Sequence, residues 1–374
     1  MKYKKVTAVV LIAVIAVFSA SCMEKAGKKH DDDDQETTEE ETITDSETSE
    51  VTVSLSEEVP SDTTEAEVDT TAPLWLEAPD SVSVETGTEF NVSDYISYID
   101  DYDSVVDIVV DGEVDTTTVG EYPISVVLTD DAGNTTSKSI NVNVIEPVPP
   151  VEDDDDGSDY VIDYYYFDDL ISKYDDGEVM FGVDISKYQG DVDFEKMKAA
   201  GCDFVIMRAM VYYKGELIID EKFKKNIVEA KEAGLKVGVY IYTFANTEEQ
   251  VREQTDALCE LLNGEELDFP VVFDWERFSN FQQYNLSMAD LRDLYQVFKD
   301  ELSKYGYDAM LYSSKYYLEA IWKPEGETVW LAHYISKSDY MSSYEGDYVM
   351  WQVSCFGSID GIDGPVDLDI YYGG

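Results

Sequence analysis

From about residue 178 onward, short apolar runs alternate with stretches whose apolar positions recur at helical spacing. The runs Val179 to Val183, Phe204 to Met207, Val237 to Ile241, Pro270 to Phe273, Ala309 to Leu311, Val329 to Ala332, Tyr348 to Trp351 and Val366 to Ile370 read as strands. Between the earlier ones, Phe194 to Ala200, Glu221 to Ala233, Glu248 to Leu262 and Met288 to Tyr305 read as helices. Alternating strands and helices mean parallel strands joined by crossovers, and eight such runs predict an α/β fold, a TIM-like (β/α) barrel over residues 178–374. The last three runs follow one another with too little room for full helices. The barrel is therefore expected to be regular in its first five units and irregular in its last three strands.

Upstream the period changes. Over residues 73–146, β-branched runs such as Ser81 to Val84, Val105 to Val110, Ile124 to Thr129 and Ser139 to Ile145 are separated by Gly, Asp and Asn, the spacing of a small all-β sandwich. Val119-Gly120-Glu121-Tyr122 leading to Thr129-Asp130-Asp131-Ala132-Gly133-Asn134 resembles the last hairpin of bacterial Ig-like surface modules. Such a module is either a ligand-binding or adhesive unit or a spacer, and the spacer is the simpler reading.

Lys2, Lys4 and Lys5 precede an apolar run from Val6 to Phe18 that is too short to span a bilayer, so residues 1–21 read as an export signal. Ser19-Ala20-Ser21 before Cys22 resembles the bacterial lipobox, with Ser19 where Leu is usual. That resemblance implies a lipidated Cys22 as the mature N-terminus, and two acyl chains suffice for stable anchoring. The expected location is the outer face of the plasma membrane or the cell surface, with membrane contact through the lipid alone. Residues 22–72 are Asp, Glu, Thr and Ser with few aromatics, an acidic stalk that self-repels. Its run Asp31 to Asp34 lacks the Gly turn and spaced ligands of a calcium loop and reads as a solvated charge run. Residues 147–177 form a second acidic linker whose Tyr-rich end, Tyr160 to Tyr174, is expected to pack on the domain that follows.

The charge changes the list of partners. With 26 Lys+Arg against 81 Asp+Glu, a net charge of −55, the chain cannot displace counterions from a polyanion, which excludes nucleic acid. At 44% hydrophobic and 13% aromatic residues it still buries a core. His30 and His333, with Cys22, Cys202, Cys259 and Cys355 in no C-x-x-C pair, make a zinc site or disulfide framework unexpected; no metal or cofactor is predicted. The oligomeric state stays open.

Barrel enzymes place their chemistry at the C-terminal ends of the strands. Those positions are held by Asp184, Arg208, Tyr242, Asp274 with Glu276, Tyr312, Tyr334, Gln352, and Asp367 with Asp369. In Phe269-Pro270-Val271-Val272-Phe273-Asp274-Trp275-Glu276 the two carboxylates are two residues apart and face the same side of an extended chain. Neighbouring carboxylates cannot both ionise freely, which suits glycoside hydrolysis: one acid protonates the leaving oxygen while others stay charged to stabilise an oxocarbenium-like transition state.

These residues also carry a family resemblance. Phe181-Gly182-Val183-Asp184-Ile185-Ser186-Lys187-Tyr188-Gln189-Gly190 resembles the D-x-S-x-x-Q-G opening of glycoside hydrolase family 25, the muramidase-type lysozymes. Gly238 to Tyr242, Asp274 and Glu276, Leu311-Tyr312, Trp330 to Tyr334, Trp351-Gln352 and Val366 to Asp369 follow in the family's order. The resemblance implies hydrolysis of the β-1,4 bond between N-acetylmuramic acid and N-acetylglucosamine in peptidoglycan. It implies Glu276 as general acid and Asp274, Asp184 and Asp367 as its charged partners. Asp369 stands where the family usually has Asn, adding an acidic group near the rim. For the sugar cleft the candidates are Tyr242, Tyr312, Trp330, Tyr334 and Gln352, although each aromatic one could instead be core packing, Trp330 and Trp351 above all because they are embedded in strands; Arg208 binds substrate or, as the simpler role, holds a carboxylate charged. His333 reads as structural. The route compatible with the family uses the substrate's own acetamido oxygen as nucleophile, oriented by Asp274, and retains configuration; spacing alone leaves retention and inversion open. The alternative to an enzyme is a non-catalytic wall-binding or adhesive lipoprotein that keeps the cleft without turnover.

Overall fold

The structure, a computed structural model, describes residues 69–147, 164–279 and 281–373. The export signal with Cys22, the stalk as far as Val68, the run Asp31 to Asp34 and the acidic stretch Asp153 to Asp156 lie outside the described residues.

Eight strands close into a barrel: Met180–Ile185, Phe204–Tyr213, Lys236–Thr243, Val271–Asp274, Ala309–Ser314, Val329–Ala332, Met350–Ser358 and Val366–Tyr371. The first pairs with both the second and the last. Helices Phe194–Ala199, Phe223–Glu232, Glu248–Leu262 and Met288–Ser303 follow the first four strands, and short helical turns over Lys315–Trp322 follow the fifth. Strands six, seven and eight have no helix between them, as expected. The eighth is antiparallel to both neighbours. Residues 359–365 are too few for the dozen or more that a parallel crossover needs, so the chain can only turn back. That reversal puts the start of the last strand, rather than its end, on the rim formed by the C-terminal ends of the other strands, and Asp367 pairs in register with Asp184.

Local chemistry explains the boundaries. Helix Glu248–Leu262 starts where Thr247 accepts from the Gln250 N–H and ends at Asn263 in the left-handed region, with φ 50°. Helix Met288–Ser303 starts at a capping box of Ser287 and Asp290. Inside the barrel lie Phe204, Ile206, Phe269, Met310, Trp330 and Met350. A Cβ on Gly182 would fall 2.5 Å from the Phe204 ring, so only glycine lets that ring cross the barrel beside the first strand. Two elements are additions to the expected pattern. Glu216–Ile219 forms a hairpin with the second strand, and helix Phe167–Tyr174 packs on the barrel through Phe167 and Leu170.

The N-terminal β module has a four-stranded sheet, Ser81–Glu85, Thr135–Ile145, Gly120–Thr129 and Asp107–Asp111 in spatial order, facing a two-stranded sheet of Leu74–Glu77 and Ser97–Ile99. Its core includes Val84, Ile96, Val126, Leu128 and Val142. A pure spacer would leave strand Ser97–Ile99 in solvent. Instead Ser97, with no exposed surface, donates to the Phe278 carbonyl (2.6 Å) and accepts from the Phe281 N–H (3.2 Å), both in the barrel loop after the fourth strand. Ile99 joins the barrel's hydrophobic core, and Asp100 and Asp101 carbonyls accept from Met288 (2.8 Å) and Ala289 (3.0 Å) at the start of a barrel helix. Among the described residues no helix is long and apolar enough to cross a membrane.

Candidate active site

Register alone brings much of the rim together. Tyr242, Asp274 and Tyr312 are level on three adjacent parallel strands, and Asp184 is level with Asp367. The fourth strand ends at Asp274, so Glu276 sits in the loop beyond it. Trp275, between them, is fully buried and donates its indole N–H to the Ala245 carbonyl (3.1 Å). Its ring packs on Phe278, Phe281 and Tyr284. The indole thus anchors one side of the chain while both carboxylates turn to the other. Asp274 is 6% exposed and hydrogen-bonded to the half-buried Glu276.

The hub of the site is Gln352, 3% exposed. Its amide N–H donates to Asp184 Oδ2 (2.6 Å), and its Oε1 accepts from the hydroxyls of Tyr312 (2.9 Å) and Tyr334 (2.7 Å). Both tyrosines donate to this one acceptor, so one buried amide positions a carboxylate and two rings at once. Asp369, fully buried, accepts the Trp330 indole N–H at Oδ1 (3.0 Å). Its Oδ2 is buried with no ordinary donor, and Asp369 lies close enough to Asp184 for one carboxyl, when protonated, to hydrogen-bond the other.

Burial is the main electrostatic force here. Desolvation pushes Asp184 up to about 7, opposed by its bonds from Gln352 and Asp369 and reinforced by the Glu276 charge. Desolvation, then the Glu276 charge and hydrogen bond, holds Asp274 well above the usual carboxylate range. Asp367 and Asp369 are raised by desolvation first and by their acidic neighbours second. The rim therefore stores protons at a pH where isolated carboxylates have lost them.

The structure corrects several assignments. Trp330 is 2% exposed and edge-on to Tyr312 inside the barrel, so it cannot stack on a sugar; it holds Asp369. Gln352 and Tyr312 are too deep to be primary sugar contacts and act on Asp184 and on one another. Of the two roles expected for Arg208 the structure shows the simpler, a pair with a carboxylate: it bonds Asp220 through Nε (2.9 Å) and Nη2 (2.8 Å), and its charge also opposes the rise at Asp274. Asp369 is not a free charge at the rim. Two candidates stay open to a ligand. Tyr334 is 37% exposed with its hydroxyl turned inward, and Tyr242 has a buried hydroxyl that faces the charges of Glu276 and Asp274 on one side and Arg277 on the other. Sequence reasoning passes over Asp220, which lies in the added hairpin connection, and Tyr240, whose buried hydroxyl faces Arg208, Asp184 and Asp274. His333 bonds Ser342 Oγ through Nδ1 (2.7 Å), away from the carboxylates. A cavity of about 710 Å³ shares Tyr334 with the site and is bordered by Tyr340 and Met341.

Residues 183–362 match the sequence model of glycosyl hydrolases family 25, and residues 74–144 match that of the bacterial surface protein Ig-like domain. The chain carries a family 25 glycosyl hydrolase domain. Over 193 residues it is 30% identical to the autolytic lysozyme of Clostridium acetobutylicum, covering 51% of this chain and 55% of that protein. Lysozyme M1 of Streptomyces globisporus is 25% identical over 205 residues, 51% of this chain and 67% of its own length. The chain thus spans about half the length of the first of these curated relatives. Among solved structures, a bacterial lysozyme from Streptomyces coelicolor aligns with a TM-score of 0.46 at 23% identity, covering 53% of this chain and 94% of that one.

Proposed function

We propose that the family 25 domain is a peptidoglycan muramidase, cleaving the β-1,4 bond between N-acetylmuramic acid and N-acetylglucosamine. The observation that carries the reading is the proton-sharing pair of Asp274 and Glu276 at the mouth of a strand-built acidic rim. Of the two, only Glu276 reaches the open side; Asp274 is nearly enclosed. A glycan entering the cleft displaces water, and the shared proton passes through Glu276 to the leaving oxygen. Asp274, left ionised, orients the 2-acetamido group, whose carbonyl oxygen attacks the anomeric carbon. Glu276 then takes a proton from the water that opens the cyclic intermediate, and the product keeps the β configuration. Asp184, held by Gln352, and Asp367 balance positive charge developing at the ring as they give up the protons that burial holds on them. Tyr334 and Tyr242 supply the sugar contacts.

Lysozyme names among the relatives favour turnover over a lectin-like role, as do the hydrogen bonds that position each acidic group. The test is to incubate the full chain with purified peptidoglycan and measure new reducing ends. Ends carrying N-acetylmuramic acid are expected; binding without release would establish the wall-binding alternative.

The same reading places the protein at the cell surface, exported by residues 1–21, anchored by lipid on Cys22 and held off the bilayer by the acidic stalk of residues 22–72. A fatty-acid analogue should label the wild type and not Cys22→Ala; equal labelling of both would exclude the anchor.

A further inference from the structure

A second acidic cluster lies where the Ig-like module meets the barrel. Asp69, Asp100 and Asp101 each bring one carboxylate oxygen within 4.8 Å of the others. Asp103 and Asp130 form a second such group with Asp69. Clustering alone is ordinary for so acidic a chain, but the hydrogen bonding is not.

Asp100 is 1% exposed. Its Oδ1 accepts from the Tyr102 N–H (3.1 Å) and the Asp103 N–H (2.9 Å), while its Oδ2 is buried with no hydrogen-bond partner. Asp69 repeats the arrangement, with Oδ1 on the Thr71 N–H (2.9 Å) and Oδ2 buried and unpartnered. Asp101 Oδ1 is a third buried oxygen without a donor. Among the described residues no Lys or Arg forms an ion pair with any of the three. Orphaned buried carboxylate oxygens cost free energy that folding has to recover elsewhere, and a cation is the partner that would satisfy several together. In the second group the oxygens are largely taken: Asp103 Oδ2 accepts from Asp131, and both Asp130 oxygens accept from Asn134.

We propose that Asp69, Asp100 and Asp101 form a calcium site that fastens the Ig-like module to the barrel. Donors that are all carboxylate oxygens select a hard cation. Two ligands adjacent in sequence and a third from a distant segment make an irregular shell, which Ca²⁺ tolerates and Mg²⁺, with its strict octahedron, does not. The backbone carbonyls of the same two residues, Asp100 and Asp101, receive the Met288 and Ala289 N–H groups of the barrel. An ion there ties the chain ahead of the module's first strand to the segment that touches the barrel. No metal centre is predicted from spacing because Asp69 and Asp100 are far apart in sequence, in contrast to the local run Asp31 to Asp34.

The experiment uses the full chain at physiological salt, which screens loose binding to the 81 acidic side chains. Thermal unfolding is followed in EDTA, in CaCl2 and in MgCl2, with Ca²⁺ binding measured by calorimetry. Expected are a higher melting temperature in Ca²⁺ than in EDTA, a smaller effect of Mg²⁺, and at least a tenfold weaker Ca²⁺ affinity in Asp100→Asn and in the less buried Asp101→Asn. A wild-type protein whose melting and calorimetric trace are the same in Ca²⁺ and EDTA would overturn the proposal without any variant. An Asp101→Asn protein that keeps the full wild-type response would overturn it equally.

Discussion

The molecule holds two buried acidic clusters whose carboxylates meet different partners. At the rim each deep carboxylate has a side-chain donor or another carboxyl on one oxygen, Gln352 on Asp184, Trp330 on Asp369, Glu276 on Asp274, although Asp274 Oδ1 and Asp369 Oδ2 lack an ordinary donor. At the module junction, backbone N–H groups take one oxygen of Asp69 and of Asp100 and leave the other bare. Both environments penalise the charged form. The first answers by sharing protons, which is the currency of acid catalysis; the second has the valence for an ion. Burial and residue type are therefore insufficient to assign a role to a carboxylate, and its remaining lone pairs decide.

The largest expected effect comes from removing the rim's transferable proton. Glu276→Gln keeps the shape and the hydrogen bond to Asp274 and cannot give up a proton as an acid. Turnover on peptidoglycan should fall by about 10²–10⁴-fold, the usual contribution of a positioned general acid. Glycan binding and the Ca²⁺ response of melting should be unchanged, since the two clusters are separate. Near-wild-type turnover would return the acid role to Asp274 or another rim group.

How much of this could be read from sequence depends on whether the signal is local. Helix Glu248–Leu262 is legible to the residue because Thr247 and Asn263 punctuate a clean apolar period. The rim carboxylates are legible because each lies at or just beyond the end of a strand whose apolar run is unmistakable, Glu276 two residues past Asp274. Trp330 is misread because the same indole can stack on a sugar or bond a buried acid, and only the proximity of Asp369 across the barrel distinguishes the two. Asp220 is invisible because its partner Arg208 meets it through a hairpin, Glu216–Ile219, that interrupts the expected βα connection. The junction is invisible for a similar reason: strand Ser97–Ile99 has three buried residues in succession, no alternation, and a docking partner about 180 residues away.

That junction is tested next, by a smaller perturbation on the module side. Ser97→Ala deletes the hydroxyl that bridges Phe278 and Phe281, leaving a buried carbonyl and N–H without partners. The loss should cost about 1–3 kcal/mol of stability. The loop it holds contains Glu276, whose own carbonyl accepts from the Phe278 N–H (3.0 Å). Displacements of about 1 Å in reacting groups can cost about 10²-fold, so a partial shift should lower kcat by roughly three- to tenfold with KM little changed. Measured well below the melting temperature, an unaltered kcat beside a lowered Tm would reduce the Ig-like module to a stabilising neighbour with no hand in positioning the acid.

The finest distinction concerns whether the rim's shared protons carry a stability cost. The unfolded chain releases aspartate protons near pH 4. The folded chain holds the Asp184 proton up to about 7 and keeps Asp369 well above the ordinary range, both chiefly through burial. Between about pH 4 and 7 the native state therefore binds more protons than the unfolded state, so this contribution to stability is whole below pH 4 and declines as pH rises. Asp369→Asn retains an acceptor for the Trp330 indole and gives Asp184 an amide donor that needs no proton. Each unit of pKa shift so removed is worth about 1.4 kcal/mol, and each kcal/mol moves Tm by about 2–4 °C in a domain of this size. The variant should melt higher than the wild type at pH 7, with the difference shrinking toward zero at pH 4, and its activity should extend further into alkaline pH. Melting curves at several pH values decide the matter: a difference between the two proteins that stays constant from pH 4 to 8 would mean that Asp369 and Asp184 do not share a proton in the folded enzyme.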